Sequence, residues 1–370
     1  MAYTTIDNPE LYFQTKLYTG NGGTNAITLD GSENMQPDWI WGKDRAGDRH
    51  FLADSVRGKK NTGYHLLCSN NTEADTDNAP PDGITAINSN GFTLGANSSN
   101  TDGGWSIEIN QNTGPYVAWN WKAGTSFTND ASATGVGSVD STGSINTTAG
   151  ISIISWTSLA SGSNYSIAHG LSATPAAIIM KGRHESNSWQ VYHDKNTSSP
   201  ETDYLELNSD AATADFPVWQ DTSPTSSVFS LGTWSGFDDG GTMIAYCFAE
   251  KQGYSKFGSY IGNGSATDGT FVYTGMKPAF VLLKMSSGTG SWCIYDNKRD
   301  TFNPASKRLV PNVTNAEADT STQAIDFLSN GFKLKSNNTD QNGSGSTYIY
   351  LAFAESPFVN SAGAVPNNAR

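Results

Sequence analysis

The chain of 370 residues contains little charge, little cysteine and few basic side chains. Only 15% of the residues are charged, and 22 Lys and Arg against 35 Asp and Glu give a net charge of −13. Proteins that bind nucleic-acid phosphates cluster their basic residues. The basic residues here are dispersed, so the composition argues against a nucleic-acid partner. The three cysteines, Cys68, Cys247 and Cys293, are an odd number, and we predict buried free thiols rather than a disulfide framework.

Long apolar runs and helical periodicity are also missing. No run of 18 apolar residues could span a bilayer, and no apolar segment follows Met1 as a signal peptide requires. No window keeps apolar residues at i, i+3 and i+4, which predicts scarce helix. The 38 glycines, with Ser, Thr and Asn between short apolar runs, are typical of an all-β sandwich.

The sequence repeats itself three times. In each copy a proline opens an apolar run that ends on a lysine six residues later: Pro37–Lys43, Pro175–Lys181 and Pro278–Lys284. A Phe-x-Leu strand follows at a nearly constant spacing, beginning at Phe92, Phe229 and Phe332. Each copy closes on an alternating strand whose one buried face should include Phe248 or Phe353. The pattern predicts three tandem β-sandwich repeats.

The landmarks predict the domain boundaries. They give an N-terminal lead at 1–14, repeat 1 at 15–123, a linker at 124–149, repeat 2 at 150–253, repeat 3 at 254–358, and a C-terminal tail at 359–370. The lead is either an ordered anchor or strand-like packing for repeat 1. The linker is rich in Ser, Thr and Gly, so we expect a spacer or a strap ordered by another subunit. Repeats 2 and 3 lack a spacer, which predicts a rigid pair with repeat 1 at another angle.

Several segments resemble a repeated domain of marine tailed-phage proteins. They are Tyr-Ile-Gly-Asn-Gly at 260–264, Trp-Cys-Ile-Tyr-Asp at 292–296, Phe-Leu-Ser-Asn-Gly-Phe at 327–332, Ala-Phe-Ala-Glu at 352–355, and the opening at 2–13. The resemblance implies a tail-fibre-like structural protein on the virion exterior, built from concanavalin-like jelly rolls. It also implies other virion proteins as partners and a homo-oligomer, with a trimer favoured. Repeat 1 departs most, with His50 where the other copies carry Trp.

Two functions from different classes stay open at this point. One is a receptor-binding protein that recognises a host-surface glycan. The other is a structural head-decoration or fibre-shaft protein with no ligand. A secreted carbohydrate-binding module is less well supported, because no signal peptide is present.

The candidate ligand-binding residues are aromatic and acidic side chains near the hairpin that precedes each last strand. They are Trp105, Trp234, Phe237, Asp238, Asp239 and Tyr348. An aromatic ring among Asn, Asp and Gly could stack on a sugar face while amides bind hydroxyls. Burial against a neighbouring subunit explains the same pattern equally well.

The sequence supports no catalytic residues, no metal and no cofactor, so we do not expect an enzyme. Paired acids for glycoside hydrolysis are absent from the predicted strands. The five histidines lack the spacing of a zinc site and are expected at the surface. The lysines that end the apolar runs should either extend along the apolar surface to reach solvent or form weak surface pairs with Asp54, Asp194 and Asp296.

Overall fold

The computed structural model describes residues 2–60, 62–75, 83–96, 108–160, 163–233 and 240–365. These residues form 28 strands and only two α-helices, each four residues long. The predicted all-β fold is confirmed. In the same ranges no helix has the length and apolarity that a membrane crossing needs.

The strands follow the chain in the order of the predicted repeats. Repeat 1 holds β1 Phe13–Thr19, β2 Asn25–Thr28, β3 Trp39–Asp44, β4 His50–Asp54, β5 Lys59–Lys60, β6 Gly63–Tyr64, β7 Ile84–Asn88, β8 Gly91–Leu94 and β9 Pro115–Trp121. The predicted linker holds β10 Thr125–Asn129 and β11 Ser141–Asn146. Repeat 2 holds β12 Ile151–Thr157, β13 Tyr165–Ala168, β14 Ala177–Gly182, β15 Gln190–His193, β16 Asp203–Glu206, β17 Ala214–Asp215, β18 Val228–Leu231 and β19 Thr242–Phe248.

Repeat 3 continues with β20 Ser255–Ile261, β21 Phe271–Tyr273, β22 Met276–Met285, β23 Cys293–Asp296, β24 Lys307–Arg308, β25 Ala318–Asp319, β26 Ala324–Leu328, β27 Gly331–Lys335 and β28 Thr347–Pro357. The helices are α1 Ala131–Thr134 and α2 Thr339–Asn342, with 3-10 turns at Pro9–Leu11, Pro200–Thr202 and Ser321–Gln323.

Each repeat contains an antiparallel sheet with the same strand order. The equivalent orders are β1-β9-β3-β4, β12-β19-β14-β15 and β20-β28-β22-β23. A smaller sheet packs on each one: β2-β8-β7, β13-β18 and β21-β27-β26. Three separate apolar clusters lie between these pairs of sheets. Each repeat range therefore forms a sandwich. The boundaries between the ranges stay predictions, because β11 of the predicted linker pairs with β12 of repeat 2 and so belongs to the same sheet.

The last strand of each repeat is buried on both faces, which the sequence analysis did not anticipate. In β28, Tyr348, Tyr350 and Ala352 face the interior of the repeat 3 sandwich. Leu351 and Phe353 face the other way, into a core made by all three repeats. Phe248 and Phe353 are 1% and 3% exposed, so their predicted burial is confirmed. The partner of their face is the neighbouring repeats rather than their own second sheet.

Aromatic rings dominate the shared core. Trp39 of repeat 1 stacks on Tyr246 of repeat 2 with ring centroids 4.4 Å apart. Phe13 stacks on Phe353 of repeat 3 at 5.5 Å, and Phe248 meets Phe353 edge-on at 5.8 Å. Repeat 1 takes part fully in this core, because its large apolar side chains are buried against both other repeats. Its angle to the other two repeats stays a prediction.

The segment at 124–149 is not an unpaired linker. Its strands β10 and β11 form a hairpin that pairs with β12 along the edge of the repeat 2 sheet. Ser141 Oγ donates to the Ala168 carbonyl at 2.9 Å, and Phe127 packs against the repeat 2 core. Backbone pairing orders a segment that has few large apolar residues, and it covers a sheet edge. The reason for placing this segment against another subunit is thereby removed.

We expect the hairpin at 124–149 to resist limited proteolysis in a chain shown to be monomeric by light scattering. Cleavage there requires β11 to leave β12, and mass spectrometry of early fragments measures it. Gly143 provides the contrast, since a Cβ at this position would lie 2.0 Å from the Ile153 carbonyl oxygen. Gly143→Val should loosen the hairpin and expose it to cleavage. Early cleavage between residues 125 and 146 of the unsubstituted chain would contradict the expectation.

The N-terminal lead is an ordered anchor, and the beginning of the C-terminal tail contacts it. Ile6 is buried in the shared core, and the Tyr3 hydroxyl donates to the Gly275 carbonyl at 2.7 Å. Asp7 accepts a hydrogen bond from the Ser361 amide at 2.7 Å. The structure agrees with the anchor, and Phe13 and Gln14 at the end of the lead also begin β1, which pairs with β9 of repeat 1.

The three cysteines are buried and free, as predicted. Burial raises the pKa of Cys68 and Cys247 to about 12 and that of Cys293 to about 11. The thiols therefore stay protonated at neutral pH and act as small apolar side chains.

Candidate functional site

The repeats meet at three equivalent junctions. We name them by the repeats they join: junction 1–2, junction 2–3 and junction 3–1. At each junction, a backbone amide of one repeat donates to a carbonyl of the other repeat. That carbonyl belongs to the residue that directly follows β3, β14 or β22. The pairs are Asp75 to Arg183 at 2.7 Å, Thr213 to Ser286 at 3.0 Å, and Glu317 to Arg45 at 2.9 Å. This shared hydrogen bond makes the side chains at the three junctions directly comparable.

Junction 1–2 is filled by charged side chains. Asp75 accepts from Arg57 Nη1 at 3.0 Å and from Arg183 Nε at 2.9 Å. Behind it, Arg57 Nε donates to Asp54 Oδ2 at 2.6 Å, and the Tyr246 hydroxyl donates to the same oxygen at 2.7 Å. Burial raises the pKa of Asp54, but the charge and hydrogen bonds of Arg57 lower this pKa by a larger amount. The net shift is downward. The buried carboxylate is therefore ionised at neutral pH.

Junction 3–1 has the same arrangement of charged side chains. Glu317 accepts from Arg299 Nη1 at 3.0 Å and from Arg45 Nη2 at 2.7 Å. Arg299 Nε donates to Asp296 Oδ2 at 2.5 Å, and Trp119 Nε1 donates to that oxygen at 3.0 Å. At both charged junctions an acid bridges two guanidinium groups that belong to different repeats.

Junction 2–3 lacks all of these charged side chains. Asn196 stands where the other junctions place the buried arginine, and Thr213 stands where they place the bridging acid. Ser286 replaces the second arginine. Thr213 Oγ1 donates to Asn196 Oδ1 at 2.8 Å. His193 replaces the buried aspartate, with its Nε2 3.1 Å from the Tyr350 carbonyl oxygen.

The smaller side chains leave an open cleft of about 430 Å³ at junction 2–3. Its lining comes from repeats 2 and 3, and all seven residues have polar or charged side chains: Lys195, Asn196, Thr197, Ser259, Ser286, Ser287 and Thr347. We call this space the 2–3 cleft and treat it as the candidate functional site.

The groups in the 2–3 cleft can bind a ligand through hydrogen bonds. Asn196 is only 5% exposed, and its Oδ1 is occupied by Thr213. We find no acceptor for its Nδ2 group among the residues that the structure describes. Lys195 Nζ forms an ion pair with Asp194 at 2.8 Å. The seven lining side chains include no carboxylate and no imidazole, so the lining offers binding groups rather than an acid–base pair.

The three lysines that end the apolar runs are buried, so the prediction of surface pairs is wrong. Lys181 Nζ donates to Asn187 Oδ1 at 2.7 Å and reaches the Thr72 carbonyl of repeat 1 at 3.2 Å. Lys43 and Lys284 likewise donate to backbone carbonyls of the neighbouring repeat. Burial lowers the pKa of Lys181 to about 7 and that of Lys43 and Lys284 to about 8.

We expect the unfolding free energy to depend on Lys181 between pH 7 and pH 9. Its folded pKa lies below its unfolded value, so the unfolded chain holds more protons in this window and stability rises with pH. Lys181→Met should reduce that rise by up to about 1 kcal/mol per pH unit. Urea titrations at several pH values measure the slope. The exposed Lys195 is the control, because Lys195→Met should leave the slope unchanged. An unchanged slope in Lys181→Met would contradict the assignment.

The histidines also differ from the expectation that they lie at the surface. His50, His169 and His193 are at most 1% exposed. Burial is the main cause of the lowered pKa of all three, and the pKa of His169 and His193 falls to about 4. His50 Nε2 lies 3.1 Å from the Val310 carbonyl oxygen of repeat 3. The equivalent residue in repeat 3, Trp292, donates its ring N–H to the Glu206 backbone carbonyl of repeat 2. Within the described ranges, no group of three or more His, Cys, Asp or Glu could hold a metal ion.

Of the six candidate ligand-binding residues, only Tyr348 falls within the described residues. Its ring is fully buried and stacks on Tyr260 with centroids 5.0 Å apart. Its hydroxyl donates to the Thr339 carbonyl at 2.5 Å and accepts from the Gly343 amide at 2.8 Å. The assignment of Tyr348 as a sugar-stacking residue is therefore wrong. Trp105, Trp234, Phe237, Asp238 and Asp239 lie outside the described residues.

Sequence reasoning missed the 2–3 cleft, although the repeat alignment carried a signal. Counting from the aligned prolines places Asn196 opposite Arg299 and one position from Arg57. That loss of a charge in one copy was visible. Its consequence was not, because the partners Asp75 and Arg183 come from different repeats and the sequence does not say that they meet.

Comparisons with known proteins bear on the family rather than on a function. Searches of curated proteins and of solved structures found no match. One family model matches residues 8–357, which is nearly the whole chain. The chain therefore belongs to the family described as a domain of unknown function, DUF7483.

Proposed function

We propose that the protein is a structural component of the exterior of a tailed-phage particle, and that it acts there as a rigid block. The observation that carries the proposal is the shared aromatic core, in which every repeat buries large rings against the other two. The resemblance of several segments to marine tailed-phage proteins supports the setting on a virion.

The junctions add to this rigidity. Two of them hold a buried acid between guanidinium groups of two repeats. Such pairs are strongly directional, and removal of one partner leaves an uncompensated buried charge. Hinge motion between repeats would break these pairs and expose core rings to water. A block of this kind suits a head decoration or a fibre segment that must keep its shape under load.

Locating the chain on the particle tests the proposal. Particles of the phage that encodes the chain would be purified through a density gradient and labelled with an antibody fragment raised against the purified chain. We expect the chain to remain with the particles, and electron microscopy should show label on their exterior. Label on the tail would favour a fibre role, whereas label on the head would favour decoration. Absence of the chain from gradient-purified particles would overturn the proposal.

Host attachment through a surface glycan is the second candidate function. The observation that favours it is the composition of two segments that the sequence analysis predicts to be hairpins, in which Trp105 and residues 234–239 stand among Gly, Asn and Asp. If these hairpins recognise the host, the purified chain should compete with the phage for adsorption, and Trp105→Ala with Trp234→Ala should not. Phe302→Ala, at a site that is 79% exposed, is the matched aromatic control. Equal competition by all variants would exclude the two tryptophans.

The oligomeric state belongs to the same proposal. We propose contacts with other virion proteins and keep a trimer of chains as a prediction. The segment at 124–149 no longer supports the trimer, since its strand β11 pairs with β12 of the same chain. Light scattering of the purified chain would measure the mass, and a monomer at micromolar concentration would contradict the trimer.

A further inference from the structure

We infer that the 2–3 cleft is a binding site for a neutral, hydroxyl-rich ligand of the saccharide class. The inference does not depend on a role in a virion, and it concerns a site separate from the hairpins at Trp105 and Trp234.

Junction 2–3 differs from the other two junctions at four equivalent positions. Junctions 1–2 and 3–1 hold a buried aspartate, a buried arginine, a bridging acid and a second arginine. Junction 2–3 carries His193, Asn196, Thr213 and Ser286 instead. Losing only one charge of such a set would leave the others unpaired and buried, which is costly. All four positions differ, so none of the charges of this set is left unpaired.

Every side chain that lines the space carries a hydrogen-bonding group. The other two junctions fill the equivalent position with side chains that pair with one another, whereas the groups of the 2–3 cleft face an open space. The Asn196 Nδ2 group reaches solvent and donates no hydrogen bond to the described residues, so it is available to a ligand oxygen. Ser259 and Ser287 are exposed on the lining and can donate or accept.

The charges around the 2–3 cleft favour a neutral ligand. The Lys195 ammonium is compensated by Asp194 at 2.8 Å, and the chain carries a net charge of −13 that repels anions. Hydroxyl and amide groups match the mixed donors and acceptors of a sugar ring. The volume of about 430 Å³ lies within the range of small-molecule sites, roughly 300–1,000 Å³.

Saturation-transfer NMR of the full chain tests the inference. The probes are glucose, galactose, mannose, N-acetylglucosamine and their disaccharides, with glucuronic acid as the anionic comparison. We expect saturation transfer to at least one neutral sugar. It should be lost in Ser259→Trp, which places a large ring at the cleft. It should also be lost in the quadruple variant His193→Asp, Asn196→Arg, Thr213→Asp and Ser286→Arg, which installs the four charged side chains of junction 1–2.

Control variants separate the 2–3 cleft from other surfaces. Ser132 is exposed in α1 and does not line the cleft, so Ser132→Trp should bind as the unsubstituted chain does. Loss of binding in Trp234→Ala with retention in Ser259→Trp would move the site to the hairpin and overturn the inference. Transfer to glucuronic acid alone, or to no sugar of the panel, would also overturn it. Circular dichroism shows whether each variant is folded. If the quadruple variant does not fold, the loss of binding is judged from Ser259→Trp alone.

Discussion

Replacing Phe353 by alanine is expected to lower the free energy of unfolding by about 3–5 kcal/mol, the usual cost of truncating a buried phenylalanine. Its ring is 3% exposed and contacts the rings of six others, which come from all three repeats: Phe13, Trp121, Phe248, Tyr254, Phe257 and Phe280. The cavity would open at the centre of the shared core. No single repeat could close it without moving the other two.

Urea denaturation followed by circular dichroism measures the effect. Phe302→Ala provides the control, because this side chain is 79% exposed and should change stability by less than about 0.5 kcal/mol. We also expect one cooperative transition in both variants, since the repeats share a core. A change of less than about 1 kcal/mol in Phe353→Ala would mean that the shared core is not formed as described.

Removing Arg57 should be the most costly change outside the aromatic core, at about 3–5 kcal/mol. Its side chain is fully buried with Asp54 and also donates to Asp75 and to the Leu52 carbonyl. Arg57→Ala would leave the buried Asp54 carboxylate with neutral donors only, namely the Tyr246 hydroxyl and the backbone amides of residues 56 and 57. The lost attraction and the desolvated charge both destabilise the folded state.

Two comparisons give this second measurement its meaning. Lys16→Ala breaks a pair with Asp30, which is 60% exposed, and should cost only ~0–1 kcal/mol. Asp54→Ala combined with Arg57→Ala should recover part of the loss, because no buried charge is then left without its partner. A double variant as unstable as the sum of the two single variants would show that the pair does not interact. Chemical denaturation at neutral pH measures the free energy of unfolding of these four variants and of the unsubstituted chain.

The sequence by itself determined the strand content and the repeated frame. Pro37 and Pro175 lie two residues before β3 and β14, whereas Pro278 is the third residue of β22 and stands at a register shift. The three repeated segments lie in sheets of equal strand order. These features are local, because they depend on the two-residue period of a strand and on the inability of proline to donate within a ladder. The burial of Phe248 and the free state of the cysteines followed from the same local pattern.

Only the tertiary structure decided what the strands face. Alternation in β28 looked like one buried and one solvated face, yet both faces are buried, since a second apolar surface was available on the neighbouring repeats. The same burial explains why Lys181 and His193 are not surface residues. The 2–3 cleft arises because partners far apart in the chain, such as Asn196 and Ser286, meet at a junction. Local patterns cannot report such a meeting, because it depends on how whole sandwiches pack.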